Sequence, residues 1–172
     1  MTVTLVLGGA RSGKSAFAQR AAEAAAEQRR PVLIATGQAF DAEMGERIAR
    51  HQADRGDAWD TIEAPLDLAS VLGTLSEDDV VVIDCLTLWL SNHLLAENDL
   101  TIQRAALVEA VGACPARLWL VSNEVGWGVV PETAMGRRFR DEAGRLHQDL
   151  AQVAQAVFLI VAGLPLSLKS TS

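Results

Sequence analysis

The sequence predicts a single α/β domain over residues 1–172, with a mostly parallel central sheet and helices on both of its faces. Three observations carry this. Short apolar runs rich in β-branched residues alternate with longer helical stretches, and the runs are continuous rather than alternating in polarity, as strands buried on both faces require. No linker, repeat or low-complexity tract divides the 172 residues, a length that suits one full core. Hydrophobic residues make up 49% and charged residues 22%, ordinary globular usage that argues against disorder.

The elements follow in chain order. Val3–Leu7 is the first strand, then a Gly-rich turn and an alanine-rich helix, Ala16–Arg29. Val32–Thr36 is the second strand, followed by a helix over Asp41–Ala53 and a short strand at Thr61–Glu63. A helix over Leu66–Leu75 leads to Val80–Asp84, in which four β-branched residues end in a carboxylate. Helices at Leu86–Leu95 and Thr101–Ala113 precede the strand Leu118–Ser122. The helix Met135–Ala154 and the strand Val157–Ala162 follow, and the polar Ser-Thr-Ser tail reads as a frayed end. Strand–helix alternation of this kind implies right-handed βαβ units.

Composition narrows the function classes. A net charge of −7 argues against a general nucleic-acid binder, which carries a basic face. Cys85 and Cys114 are too few and too far apart for a zinc site or a disulfide framework, so both read as reduced thiols. The chain opens on a strand without a signal-peptide pattern, and no run of ~18 apolar residues could span a membrane. A cytoplasmic enzyme with no membrane insertion is the expectation.

Residues 8–15 read Gly-Gly-Ala-Arg-Ser-Gly-Lys-Ser. They fit the phosphate-binding pattern G-x-x-x-x-G-K-[ST], and they stand at a strand-to-helix junction, where that pattern must stand. Glycines let backbone N–H groups face phosphate oxygens without obstruction by side chains. The helix behind adds its positive end. In this pattern Lys14 neutralises the β/γ-phosphates and Ser15 offers a hydroxyl to Mg²⁺. A nucleoside triphosphate is therefore the expected ligand.

In such sheets ligands sit at the C-terminal ends of the strands. Those exits are polar or Gly-rich here: the loop at 8–15, then Ala35-Thr36-Gly37-Gln38, Asp84, and Asn123-Glu124-Val125-Gly126-Trp127-Gly128. An acid at the end of Val80–Asp84 suits the metal side of the site, although strand-end Asp residues also cap helices. Thr87 is a second candidate for that cap. Trp127, between glycines, offers an apolar platform to a bulky ligand, or marks an ordinary turn. Arg137, Arg138, Arg140, Asp141 and Arg145 form either a solvated ion-paired face or a patch for phosphate or a second subunit.

His51 has two readings. Met44, Ile48 and His51 lie at i, i+4 and i+7, one face of the helix Asp41–Ala53. A histidine continuing an apolar stripe is ordinarily a packed residue. Arg47, Arg50 and Arg55 instead supply a cationic setting that suits phosphate and keeps the imidazole neutral and nucleophilic. His93 and His147, without such neighbours, read as surface or core residues.

Taken in order, these segments resemble the bifunctional adenosylcobinamide kinase / adenosylcobinamide-phosphate guanylyltransferase family. The matching segments are Gly8-Gly-Ala-Arg-Ser-Gly-Lys-Ser15, Ile34-Ala-Thr-Gly-Gln38, Glu43-Met44, and Arg47-Ile48 with His51. They continue with Ile83-Asp-Cys-Leu-Thr87, Ser122-Asn-Glu-Val-Gly126 with Gly128 and Val130-Pro131, and Phe139-Arg-Asp-Glu-Ala-Gly144.

The resemblance implies a RecA-like phosphate-loop fold, Mg²⁺ with GTP or ATP, and adenosylcobinamide and its phosphate as the other substrates. It implies phosphorylation of the aminopropanol hydroxyl, then transfer of GMP from GTP through a covalent GMP-histidine at His51. Gly8, Gly9, Ala10, Arg11, Ser12, Gly13, Lys14 and Ser15 would hold nucleotide, with Ala35, Thr36, Gly37, Gln52, Ala53, Asp54, Arg55, Glu63 and Asp84. Ser15 and Asp84 would face the metal. Some relatives carry two adjacent histidines where this chain has Arg50-His51, and some carry Glu in place of Asp84. A homotrimer is also implied. The alternatives are a plain phosphate-loop kinase of small molecules with a structural His51, and a nucleotide-dependent switch. The base for the corrinoid hydroxyl stays open, Glu124 being one candidate.

Overall fold

A computed structural model describes residues 2–27, 29–38 and 58–170. The expected helix Asp41–Ala53, with His51, Gln52, Ala53, Asp54 and Arg55, lies outside the described residues. Seven strands form one sheet: β1 (Thr2–Gly8), β2 (Val32–Ala35), β3 (Asp60–Glu63), β4 (Val80–Asp84), β5 (Arg117–Asn123), β6 (Ala156–Val161) and β7 (Leu164–Lys169). Their order across the sheet is β3-β2-β4-β5-β1-β6-β7. The strands from β1 to β6 are parallel, and β7 returns antiparallel on β6. The helices are α1 (Lys14–Ala26), α2 (Leu68–Leu72), α3 (Leu86–Leu95), α4 (Leu100–Ala113) and α5 (Ala134–Val153). This is the mostly parallel α/β architecture expected from the sequence.

Each continuous apolar strand serves two faces by alternation. Val3, Leu5, Leu7, Val81, Ile83, Leu118 and Leu120 join one core, with Leu68 and Leu72 of α2, Leu86, Trp89 and Leu90 of α3, Leu107 and Val111 of α4, and Leu146 and Leu150 of α5. Val6, Val80, Val82 and Val121 join the other, with Ala18, Ala22 and Ala26 of α1 and with Trp59. The small alanines let α1 lie close to the sheet, which fixes the loop that enters it.

Two elements differ from expectation. The helix foreseen over Leu66–Leu75 is only α2, because Thr74 and Leu75 bond back to Val71 and Leu72 in tight i→i−3 turns after Gly73. The strand β7 was not foreseen. Its Leu-Pro-Leu-Ser-Leu-Lys run carries Pro165 and is exposed throughout, so it lacked the buried-strand signal. An edge strand tolerates proline. Ala162 and Gly163, at φ 51 and 79, form the two-residue hairpin turn that joins it to β6.

Candidate active site

The loop between β1 and α1 arches as its glycines allow. Gly13 precedes α1 at φ 95, and no side chain caps that helix end. The positive end of α1 therefore faces the loop, where an anion is favoured. A Cβ at Gly8 would stand 2.7 Å from the Ile160 carbonyl oxygen and 2.5 Å from Ser12 Oγ, so the strand end admits only glycine. Lys14 is buried, and its Nζ donates to the Gly9 carbonyl across the loop at 3.0 Å. The turn after β6 braces the loop from outside, Gly163 N donating to the Ser12 carbonyl at 2.8 Å.

Strand register assembles the rest. Ala35 of β2 pairs with both Glu63 of β3 and Asp84 of β4, so the three stand in one row at the C-terminal edge. Thr36 is buried beyond them, and its hydroxyl donates to the Cys85 carbonyl at 2.7 Å and accepts from the Cys85 amide at 2.9 Å. Asn92 of α3 donates to the Thr36 carbonyl at 2.8 Å, tying the β2 exit to a helix. Asp84 caps nothing: the cap position of α3 is Cys85, without a side-chain bond, and Thr87 does not fill it. Thr87 Oγ1 instead accepts from Asn123 Nδ2 at 2.9 Å and lies 3.2 Å from Cys85 Sγ. Burial first, and then Asp84, push the Cys85 thiol above its ordinary range, which keeps it protonated and inert.

Next to β1, Gly8 pairs with Asn123 of β5, and Glu124 N extends the ladder by donating to the Gly8 carbonyl at 2.9 Å. Glu124 Oε1 accepts from Gly126 N at 2.8 Å. Its Oε2 lies 3.8 Å from Nδ1 of His147, whose Nε2 is 2.7 Å from Ser122 Oγ. Burial lowers the His147 pKa, with Glu124 opposing. The exposed loop beyond carries Trp127, Val129 and Val130 towards Met135. Arg137 clamps its far end, donating to the Pro131 and Glu132 carbonyls at 3.0 and 2.7 Å.

Of the residues singled out in the sequence, the structure brings the 8–15 loop, Ala35, Thr36, Gly37, Asp84 and Glu124 to one edge of the sheet, with Glu63 at its rim. His93 is a core residue, between the Leu66 carbonyl and Asn98. On α5 the ion-paired reading holds for Arg140 with Asp141 and for Arg145 with Glu142. Ser122 and His147 were missed as neighbours of Glu124. The available signal was the apolar stripe Ala143, Leu146, His147, Leu150 on α5, which turns His147 inward.

A loop of this shape, an acid at the end of β4 and this strand order define a phosphate-loop nucleotide enzyme. The fold is shared by the P4 protein from bacteriophage phi6 in complex with ADP, with a TM-score of 0.52 and 17% identity over 95% of this chain and 52% of that one. This chain thus spans about half of that protein. FlaH, a flagellar accessory protein from Methanocaldococcus jannaschii, matches with a TM-score of 0.53 and 14% identity over 99% of this chain and 79% of that one.

The sequence pattern of the family described as cobinamide kinase / cobinamide phosphate guanyltransferase matches residues 4–168. The bifunctional adenosylcobalamin biosynthesis protein CobP of Pseudomonas aeruginosa is 50% identical over 169 residues, 96% of each chain. CobU of Salmonella typhimurium, which carries the same description, is 41% identical over 182 residues, 96% of this chain and 98% of that one. The chain belongs to this family: it is a bifunctional cobinamide kinase and cobinamide phosphate guanylyltransferase of cobalamin biosynthesis.

Proposed function

We propose that residues 8–15 hold the triphosphate of ATP or GTP, with Ala35, Thr36, Gly37, Glu63 and Asp84 and, from outside the described residues, Gln52, Ala53, Asp54 and Arg55. The observation that carries this reading is the loop itself. Gly13 turns the backbone into the uncapped start of α1, and Lys14 Nζ is already held over the loop at the Gly9 carbonyl. A triphosphate oxygen replaces that carbonyl as the partner of Lys14. Since the Thr36 hydroxyl is committed to Cys85, its part is to hold the β2 and β4 exits together.

The donors suit Mg²⁺. Ser15 and Asp84 offer oxygen ligands, and the described residues contain no cluster of three or more His, Cys, Asp or Glu that could cage a metal. Mg²⁺ takes few protein oxygens and fills its shell with phosphate and water. When bound it would neutralise β- and γ-phosphate charge. Phosphoryl transfer then needs in-line positioning, which the loop amides and Lys14 supply.

Guanylyl transfer needs a nucleophile at the α-phosphorus. The resemblance supplies His51 for that role, and the phosphoramidate it forms is itself a good donor. Its GMP then passes to adenosylcobinamide phosphate, giving adenosylcobinamide-GDP. We further propose that residues 1–172 act as one domain, that the enzyme is a cytoplasmic homotrimer, and that Trp127 and its exposed apolar neighbours carry the corrin ring.

Mass spectrometry after incubation with GTP and Mg²⁺ tests the scheme. An acid-labile GMP adduct on the His51 peptide, absent in His51→Ala, is expected. No adduct, with corrinoid phosphorylation intact, would leave a plain kinase with a packed histidine.

A further inference from the structure

The proposed scheme has three nucleophiles: the corrinoid hydroxyl, the His51 imidazole and the corrinoid phosphate. Only the hydroxyl carries a proton on its attacking atom, so only the kinase step needs a base at that point. Such a base must stand beside the phosphate loop.

Among the described residues, three carboxylates end a strand or directly follow one at the C-terminal edge of the sheet on the side of β5: Glu63, Asp84 and Glu124. At roughly 4.8 Å per strand, β3 places Glu63 about 19 Å from β1, β4 places Asp84 about 10 Å away, and β5 places Glu124 about 5 Å away. Glu63 is too distant, and Asp84 has the metal side. Glu124 is joined to the loop itself, through its amide on the Gly8 carbonyl.

We propose that Glu124 receives the proton of the corrinoid hydroxyl in the kinase step, and that His147, backed by Ser122, is the positioning residue that aims its carboxylate. This rests on the functional reading above. The hydroxyl oxygen forms a bond to the γ-phosphorus while the bond from that phosphorus to the β-phosphate oxygen breaks. ADP or GDP leaves, and the hydroxyl proton passes to a Glu124 oxygen and on to solvent.

The geometry suits this division of labour. The Glu124 side chain is 19% exposed, enough to meet a substrate, and Gly126 N restrains one of its oxygens. His147 is buried, with Ser122 on Nε2 and the carboxylate facing Nδ1. Leu146 and Leu150 beside it are packed in the core, so the ring has a fixed seat. The Ser122 hydroxyl occupies Nε2, and Nδ1, the second polar atom of the buried ring, faces Glu124. The side facing Glu124 is left for orienting a carboxylate at 3.8 Å, beyond direct hydrogen-bond contact. Burial favours the neutral ring, which orients that group without cancelling its charge.

The test separates the half-reactions in the full chain: phosphorylation of cobinamide with ATP, and guanylyl transfer to supplied cobinamide phosphate with GTP. Glu124→Gln should lower kcat for phosphorylation by about 10²–10⁴-fold with KM for ATP near wild type, and guanylyl transfer should persist. His147→Gln should lower the same kcat by about tenfold, with Glu124→Asp intermediate between wild type and Glu124→Gln. Phosphorylation within about threefold of wild type in Glu124→Gln, or an equal fall in both reactions, would overturn the proposal. If wild type itself phosphorylated no cobinamide, the functional reading would fail, and the assignment of Glu124 with it.

Discussion

The Thr36 hydroxyl and the Cys85 backbone exchange two hydrogen bonds, one to the carbonyl at 2.7 Å and one from the amide at 2.9 Å. One side chain thereby closes the seam between the exits of β2 and β4, beside Asp84. Thr36→Val keeps the shape and strips both partners. A stability loss of about 1–3 kcal/mol is expected from urea midpoints, with Thr36→Ser recovering most of it. An unchanged midpoint in the valine variant would show that water replaces the hydroxyl.

Lys14→Met tests the loop's charge apart from its packing. The site is buried, and methionine fills it, so the fold should persist by circular dichroism. Turnover in both half-reactions should fall by about 10²–10³-fold, the range for removing a preorganised electrostatic donor. Loss of only one activity would place the two reactions on separate nucleotide sites.

Gly8→Ala forces a methyl against the Ile160 carbonyl, which cannot rotate away as Ser12 can. A loss of about 1–3 kcal/mol is expected, together with weaker nucleotide binding by calorimetry. Native stability with native binding would mean that the strand end yields.

Trp127→Ala should leave stability within about 0.5 kcal/mol, because the ring is 75% exposed. If the loop carries the corrin ring, KM for cobinamide rises while KM for ATP stays. A matched rise in both would tie the loop to nucleotide instead.

Acid stability follows from His93 and His147, both held below the ordinary value of 6.5 by burial. Below pH 6.5 the unfolded chain takes up protons that the folded one refuses, so stability falls with pH through that window and levels off below the folded values. Each contributes at most about 1.4 kcal/mol per pH unit. Urea midpoints taken between about pH 5 and pH 7.5 should show this slope, and His147→Gln should flatten it. An identical slope in that variant would count against buried, neutral His147.

What was legible in the sequence were features fixed locally. Gly8 to Ser15 announce a loop because each constrained position answers a local need, and Val80–Asp84 announces a buried strand by composition alone. The Ser122–His147–Glu124 arrangement was not legible, since it joins β5 to α5 across 25 positions through packing. Residues Leu164–Lys169 failed for the opposite reason: an exposed edge strand with Pro165 resembles a loop in every local signal. For His51, spacing alone favoured a packed residue over a chemical one. The family likeness, rather than periodicity, favours chemistry.

The brace from Gly163 N to the Ser12 carbonyl has a consequence for biogenesis. β1 leaves the ribosome before β5 and β6, yet it lies between them, and its loop rests on the turn that follows β6. The nucleotide cradle is therefore begun with β1 and completed only once Gly163 has been made. Nascent chains stalled before about residue 163 should not retain nucleotide, however completely their earlier helices have formed.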